Sequence, residues 1–325
     1  MTRIRNKRAV RTTAVAAAAM AVAMAAGSQM AEAQNRPVTI VVPFAAGGGT
    51  DITTRAMQQG MGESLGVDVV VRNAEGAGGT IGVAEVARAR PDGTTVAMAP
   101  VGPLTTQPHM NRLPYDIDSF SYVCLAYSAP TVIAVRADSP FETLADMVEY
   151  ARANPGELNF AVQAIGSIPH VAGLGLAAAA EIEMTYLPVN GDGPALRALL
   201  DGSADLFIPH VSFYSTNADQ LKSLALLQRT RLDEQPDLIT AAEQGYDLDF
   251  PIWGGLVAPA NTPSDTLERL ETACDAGIQS DGFQDRMEAL RQPPAYMGAA
   301  EFEAFVRETY ATNRTLLEAA GLISE

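Results

Sequence analysis

Histidine is nearly absent from this chain of 325 residues, which has only His109, His170 and His210, and cysteine is rarer still, with Cys124 and Cys274. No two histidines stand four apart, the spacing that sets two imidazoles on one helix face, and the cysteines are too distant to complete a set, so no metal site is expected. No Gly-x-Ser-x-Gly surrounds Ser167, where the run is Ala-Ile-Gly-Ser-Ile-Pro, so a hydrolase elbow is not expected either. No nucleophile or acid–base pair stands out, and neither enzymatic activity nor a cofactor is expected. Basic charge is also scarce: 22 Lys and Arg against 38 Asp and Glu give a net −16, which makes nucleic acid and anionic membranes poor partners.

The one stretch where basic residues gather is the start. Arg3, Arg5, Lys7, Arg8 and Arg11 precede the apolar run Ala14–Ala26, and Ala31-Glu32-Ala33 fits a small-x-small cleavage site. The run is too short to span a bilayer, so residues 1–33 read as a signal peptide and a bacterial periplasm as the destination. Those residues carry a net +4, which leaves −20 on the rest. Export permits a disulfide between Cys124 and Cys274, which sit in unlike contexts, a strand and a helix; two buried thiols is the alternative.

What is present is organised around Arg36–Met61. Val38-Thr39-Ile40-Val41-Val42 is a β-branched run of the kind buried in a parallel sheet, Pro43 ends it, and Phe44-Ala45-Ala46-Gly47-Gly48-Gly49 makes a small-residue loop. Thr50 or Asp51 offers a side-chain oxygen as N-cap, and Ile52, Met57 and Met61 continue at helical spacing. Strand, glycine loop and helix start together form a place for an anion. The glycines lack the Lys-Ser/Thr of a P-loop and the spacing of a dinucleotide fingerprint.

The pattern recurs. Val67–Val71 reads as a buried strand, Arg72–Thr80 as a second glycine loop, and Ile81, Val83, Val86 and Ala87 as a helix, with a third strand at Thr94–Met98 broken by Pro100, Gly102 and Pro103. Strands at Tyr122–Tyr127, Thr131–Val135, Leu158–Val162, Met184–Val189, Leu206–Pro209 and Leu224–Leu227 alternate with helices at 141–154, from Ser167 to Ala180, and around Ala195–Leu200. A strand at Trp253–Pro259 returns towards the first unit, and helices at 264–276, 282–290 and 299–320 finish the chain. Repeated strand–loop–helix units predict an α/β protein with two parallel-sheet units, and two glycine loops opening on one edge predict a ligand crevice. Asp51 reads as a cap or dipole partner rather than a base. His170 reads as a ligand contact or as a helix-start residue satisfied by backbone, and Trp253 as a crevice wall or a core filler.

Residues 36–51, the Asn73…Gly76-Ala77-Gly78-Gly79 loop, Ala89-Arg90-Pro91-Asp92-Gly93, Leu113-Pro114-Tyr115-Asp116, Gly166-Ser167…His170 and Trp253-Gly254…Ala258-Pro259…Thr262-Pro263 together resemble the Bug family. Its members are the periplasmic solute-binding receptors of tripartite tricarboxylate transporters. The resemblance implies a periplasmic-binding-protein type II-like fold of two doubly wound α/β lobes, residues 34–134 with 259–325 and residues 135–258. It implies a hinge near Ala134–Arg136 and Leu256–Pro259, closure on a small carboxylate, delivery to membrane permease subunits, and a monomer. Phe44, Ala45, Ala46, Gly47, Gly48, Thr50 and Asp51 would take one carboxylate through backbone amides and bridging water. Gly78 and Gly79 would flank it, and Gly166, Ser167, His170, Asn190, His210 and Trp253 would complete the pocket. Two departures touch the second lobe: a Pro-Tyr-Lys-Gly run common in the family reads Pro188-Val189-Asn190-Gly191, and Pro209-His210 stands where an Asp often follows the Asp205 strand. The same fold presenting its closed form to a membrane kinase is the alternative.

Overall fold

The computed structural model describes residues 36–189, 191–289 and 294–323; the predicted signal peptide and Asn190 lie outside the described residues. Strand β1 (Val38–Val42) forms on the β-branched run and leads through the glycine loop into helix α1 (Gly49–Leu65). β2 (Val69–Asn73), helix α2 (Thr80–Ala87) and β3 (Thr95–Pro100) follow, and β1 pairs in parallel with both β2 and β3. β2 is an edge strand rather than the doubly buried one expected: Val70 is 46% exposed, and among the described residues no strand pairs with the outer side of β2. Ile81 of the expected helical stripe likewise points outward, 54% exposed.

Two short helices, α3 (Val101–Thr105) and α4 (Gln107–Met110), stand where Pro100, Gly102 and Pro103 predict only a break, and β4 (Phe120–Ala129) follows. Pro130 alone separates β4 from β5 (Thr131–Arg136), and the two strands belong to different sheets. The second unit holds α5 (Leu144–Ala153), β6 (Leu158–Val162), α6 (Ile168–Ala180), β7 (Met184–Pro188), α7 (Asp192–Leu200), β8 (Leu206–Phe207), α8 (Val211–Thr216) and β9 (Leu221–Leu227). Thr143 caps α5 with a reciprocal bond to Asp146. The chain then returns as β10 (Ile252–Pro259), followed by α9 (Ser264–Gln279), α10 (Asp281–Ala289), β11 (Pro294–Gly298) and α11 (Ala299–Ala319).

The first sheet runs β11-β4-β10-β3-β1-β2 and the second β7-β6-β8-β5-β9. Each mixes a parallel βαβ block with antiparallel strands, β10, β4 and β11 in the first and β5 and β9 in the second. The expected boundaries at 134/135 and 258/259 therefore fall inside β5 and β10. The chain changes sheet at Pro130 and again before Ile252.

Helices α1 and α9 cross on one face of the first sheet, close enough that a Cβ on Gly60 would stand 2.9 Å from the Ala276 carbonyl and one on Gly277 2.8 Å from that of Met57. Beneath them Met57, Met61, Val123, Leu270 and Phe283 form one core. Cys124 of β4 and Cys274 of α9 join there in a disulfide, 150 residues apart in sequence. The other face carries Val83, Val86, Trp253, Phe302 and Val306, and this core continues into that of the second sheet. Helix α11 reaches across to pack on α6. The two lobes thus share apolar packing on one flank.

Candidate ligand-binding site

The loop after β1 lies open. Ala45 to Gly49 are exposed, Phe44 half-buried, and Gly47 takes a left-handed φ of 82°. Helix α1 begins at Gly49 with Gly48 as N-cap and no side-chain cap, so neither Thr50 nor Asp51 fills the expected capping position. The first-turn amides of Gly49, Thr50 and Asp51 accordingly have no protein acceptor among the described residues. Asp51, 2% exposed, turns back beneath the loop. Its carboxylate accepts from Gly47 N at 2.8 Å, Asn73 Nδ2 at 2.9 Å and Arg55 Nε at 3.0 Å. Burial by itself raises this carboxyl, but the bonds from Arg55, Gly47 and Asn73 outweigh it and hold it below the usual aspartate value. Asn73 also donates to the Phe44 carbonyl at 3.0 Å, so one side chain from the end of β2 ties both ends of the loop. The helix start keeps its positive dipole end free while its own acid is neutralised from within. Thr50 Oγ1 is held 3.0 Å from the hydroxyl of Tyr127, whose burial pushes its pKa up to about 12.

The second loop leans on the first. Gly76, Ala77, Gly78 and Gly79 all have positive φ, and a Cβ on Gly79 would stand 2.8 Å from Pro103 Cγ and 3.2 Å from the Phe44 ring. Only glycine lets the backbone come that near, so Gly79 seats Phe44 between the loops. Gly78 is exposed beside Gln107. Because β1 and β2 are parallel neighbours, both loops open on one edge.

In the second lobe the carboxyl ends of β6, β7 and β8 form the matching edge. Gly166, with φ 74°, packs so closely on Met110 of α4 that an added Cβ would overlap the sulfur, so the two edges face each other. Ser167 caps α6, accepting from His170 N at 3.4 Å. His170 Nδ1 accepts from Gly166 N at 3.0 Å and its buried ring stacks edge-on to Tyr186, with burial pushing its pKa down. The structure thus gives His170 a loop-closing role, with Nδ1 occupied. Pro169 at the second helical position removes another donor, so this helix start offers fewer free amides than α1 does. His210 caps α8, its Nδ1 taking Phe213 N at 3.2 Å and Ser212 Oγ at 2.8 Å, while Nε2 lies 3.7 Å from Asp192. Burial lowers its pKa more than Asp192 raises it.

Trp253 is fully buried, 0% exposed, edge-on to Phe302. Core filling is its main role, although it also walls a cavity of about 270 Å³ where the lobes meet, with Val101, Ile168, Arg229 and Phe305. Gly47, Gly48, Thr50, Gly78 and Gly79 gather on one lobe and Gly166, Ser167 and His210 on the facing one. Residues that sequence reasoning passed over include Arg55, Tyr127, Met110, Gln163 and Asp192. Arg55 was legible as the i, i+4 partner of Asp51; the others depend on tertiary contacts. Among the described residues, no group of three or more His, Cys, Asp or Glu is placed to hold a metal ion, and no helix is long and apolar enough to cross a membrane.

The family model described as the tripartite tricarboxylate transporter family receptor matches residues 53–322. The UPF0065 protein in the tcbD-tcbE intergenic region of Pseudomonas sp. (strain P51) is 36% identical over 284 residues, 85% of this chain and 84% of that one. Among solved structures, a TctC solute binding protein from Polaromonas superposes with a TM-score of 0.80 at 26% identity, covering 87% of this chain and 98% of that one. The periplasmic binding protein BugD gives 0.70 at 32%, covering 89% and 99%. Two Rhodopseudomonas palustris proteins carry ligands: MatC with bound malate (TM-score 0.69, 27% identity, 87% and 99% covered) and Rpa4515 with adipate (0.72, 28%, 88% and 97%). These family and fold neighbours are solute-binding receptors and not enzymes. The chain belongs to the receptor family of tripartite tricarboxylate transporters, as a solute-binding protein of the Bug type.

Proposed function

We propose that this protein captures a small organic carboxylate between its lobes in the periplasm and presents it to the membrane permease subunits of a tripartite transporter. The observation that carries the reading is the start of α1: amides of Gly49, Thr50 and Asp51 without partners among the described residues, on an exposed loop whose own carboxylate is met by Arg55 and Asn73. An anion is gripped there by dipole and amides, without a buried cation and against an overall negative charge. Malate and adipate in two solved relatives support a carboxylate as ligand. Closure brings the Gly166–Ser167 edge onto the ligand, with the chain bending where it changes sheet, at Pro130 and before Ile252; contacts made only in the closed form supply the differential affinity.

Gly48→Val tests this. With φ −75° the backbone accepts a side chain, whose Cβ lies 3.3 Å from the Ala45 carbonyl and fills the approach to the amides. The variant is expected to melt like the parent and to lose carboxylate binding in calorimetry. Unchanged affinity would refute the assignment. In the parent, a ligand at 100 times its Kd raises stability by about 2.7 kcal/mol, readable as a thermal shift.

A further inference from the structure

The two facing edges differ in chemistry. The first-lobe edge offers donors, the free amides of α1. The second-lobe edge offers acceptors. Asp192, the first residue of α7, holds its side chain one-third exposed, with Oδ1 taking Gln163 Nε2 at 3.2 Å and Oδ2 3.7 Å from His210 Nε2. Gln163 follows β6 and is 8% exposed. Its Nε2 spends both hydrogens, one on Asp192 and one on the Ile208 carbonyl at 2.8 Å, which fixes the amide orientation and leaves Oε1 without a partner. A buried amide oxygen unmet by any donor, here beside a carboxylate, is costly unless something else supplies a hydrogen. Among the described residues the basic side chain within 4 Å of the Asp192 carboxylate is His210, at 3.7 Å, and burial pushes the pKa of that imidazole down. Arg197 lies on the same helix, its Nη1 3.7 Å from where a Gly193 Cβ would stand. His210 uses Nδ1 as acceptor for Phe213 N, so its Nε2 hydrogen, turned to Asp192, is the one donor the imidazole adds.

Resting on the carboxylate reading above, we propose that Asp192 and Gln163 form a donor-seeking subsite, so that the ligand is a monocarboxylate whose far end carries a hydrogen-bond donor, an ammonium above all. A second carboxylate would meet Asp192 with like charge and would satisfy neither Asp192 nor Gln163 Oε1. Malate and adipate, bound in two solved relatives, carry a carboxylate at each end, and this cleft would disfavour the second of them.

The test is calorimetric titration of the chain without residues 1–33 at pH 7.5, using four-, five- and six-carbon acids that differ only at the far end: methyl, hydroxyl, ammonium or carboxylate. The ω-amino acid is expected to bind at least tenfold tighter than the dicarboxylate of the same length, with the hydroxy acid between. Asp192→Asn keeps an acceptor for Gln163 and removes the charge. It is expected to erase that preference and to bind the dicarboxylate tighter than the parent does, a gain that misfolding cannot produce. A dicarboxylate that binds the parent as tightly as its amino partner, or a preference that survives Asp192→Asn, overturns the subsite while leaving the α1 carboxylate grip standing. Silence from every acid in the series overturns both.

Discussion

Removing the Asp51 carboxylate tests how the loop is built. In Asp51→Ala three donors lose their acceptor: Gly47 N, Asn73 Nδ2 and Arg55 Nε. Hydrogen bonds to a charged group contribute about 1.5–3 kcal/mol each when buried. The Arg55 guanidinium is half exposed and regains water, so its share is discounted to below about 1 kcal/mol, and the Gly47 amide, on an exposed loop, is partly rehydrated too. The bond to Asn73 and the lost packing remain, giving an expected loss of about 2–4 kcal/mol, which corresponds to about 3–7 °C in Tm for a chain of this size. Carboxylate affinity should fall at least tenfold, because Gly47 and Phe44 would have to be ordered by the ligand. The pH dependence has a definite sign. The folded carboxyl is held below its ordinary value, so its stabilisation is complete above about pH 4 and is lost only as pH falls through the lowered folded value. The gap in melting temperature between parent and Asp51→Asn should therefore stay constant from pH 5 to 8 and close in stronger acid. An Asp51→Ala protein that melts within 1 °C of the parent and binds equally well would refute the reasoning.

Two further outcomes concern the contact between lobes and the covalent tie. Gly166→Ala places a Cβ on Met110 Sδ at a left-handed φ, so it should destabilise by about 1–3 kcal/mol and weaken closure; Met110→Ala added to it should recover part of the affinity but not the backbone strain, and calorimetry of the pair decides. Cys124→Ser with Cys274→Ser should cost about 2–5 kcal/mol in denaturant unfolding while leaving carboxylate affinity within twofold, since both cysteines are buried in the core beneath α1 and α9. Equal denaturation midpoints with and without the bridge would contradict this.

Much of the fold was legible because β-branched runs and glycine breaks alternate at the βαβ period; Leu158–Val162 and the helix ending at Ala180 form as read. Some features were not, for physical reasons. A run such as Val69–Val71 has the same composition in a central strand as at an edge, and only its neighbours decide. The helices at Val101–Thr105 and Gln107–Met110 were hidden by Pro103 and Pro108, residues tolerated in a first turn, where an amide hydrogen has no partner to lose. A single proline between β4 and β5 gives no composition signal for a change of sheet. Both glycine loops were visible, but the inward turn of Asp51 depends on Asn73, which lies 22 residues away, and the acceptor pair Gln163–Asp192 on two successive strand ends.

The disulfide has a topological consequence. Cys124 and Cys274 both sit in the first lobe, and the stretch between them contains the whole second lobe together with both of its connections. The second lobe is therefore enclosed in a covalent ring that the disulfide closes within the first lobe. A protease that cuts once anywhere from 131 to 250 would leave two pieces that still migrate together on a gel until a reductant parts them, and the first lobe would keep both of its chain segments even while the second was open.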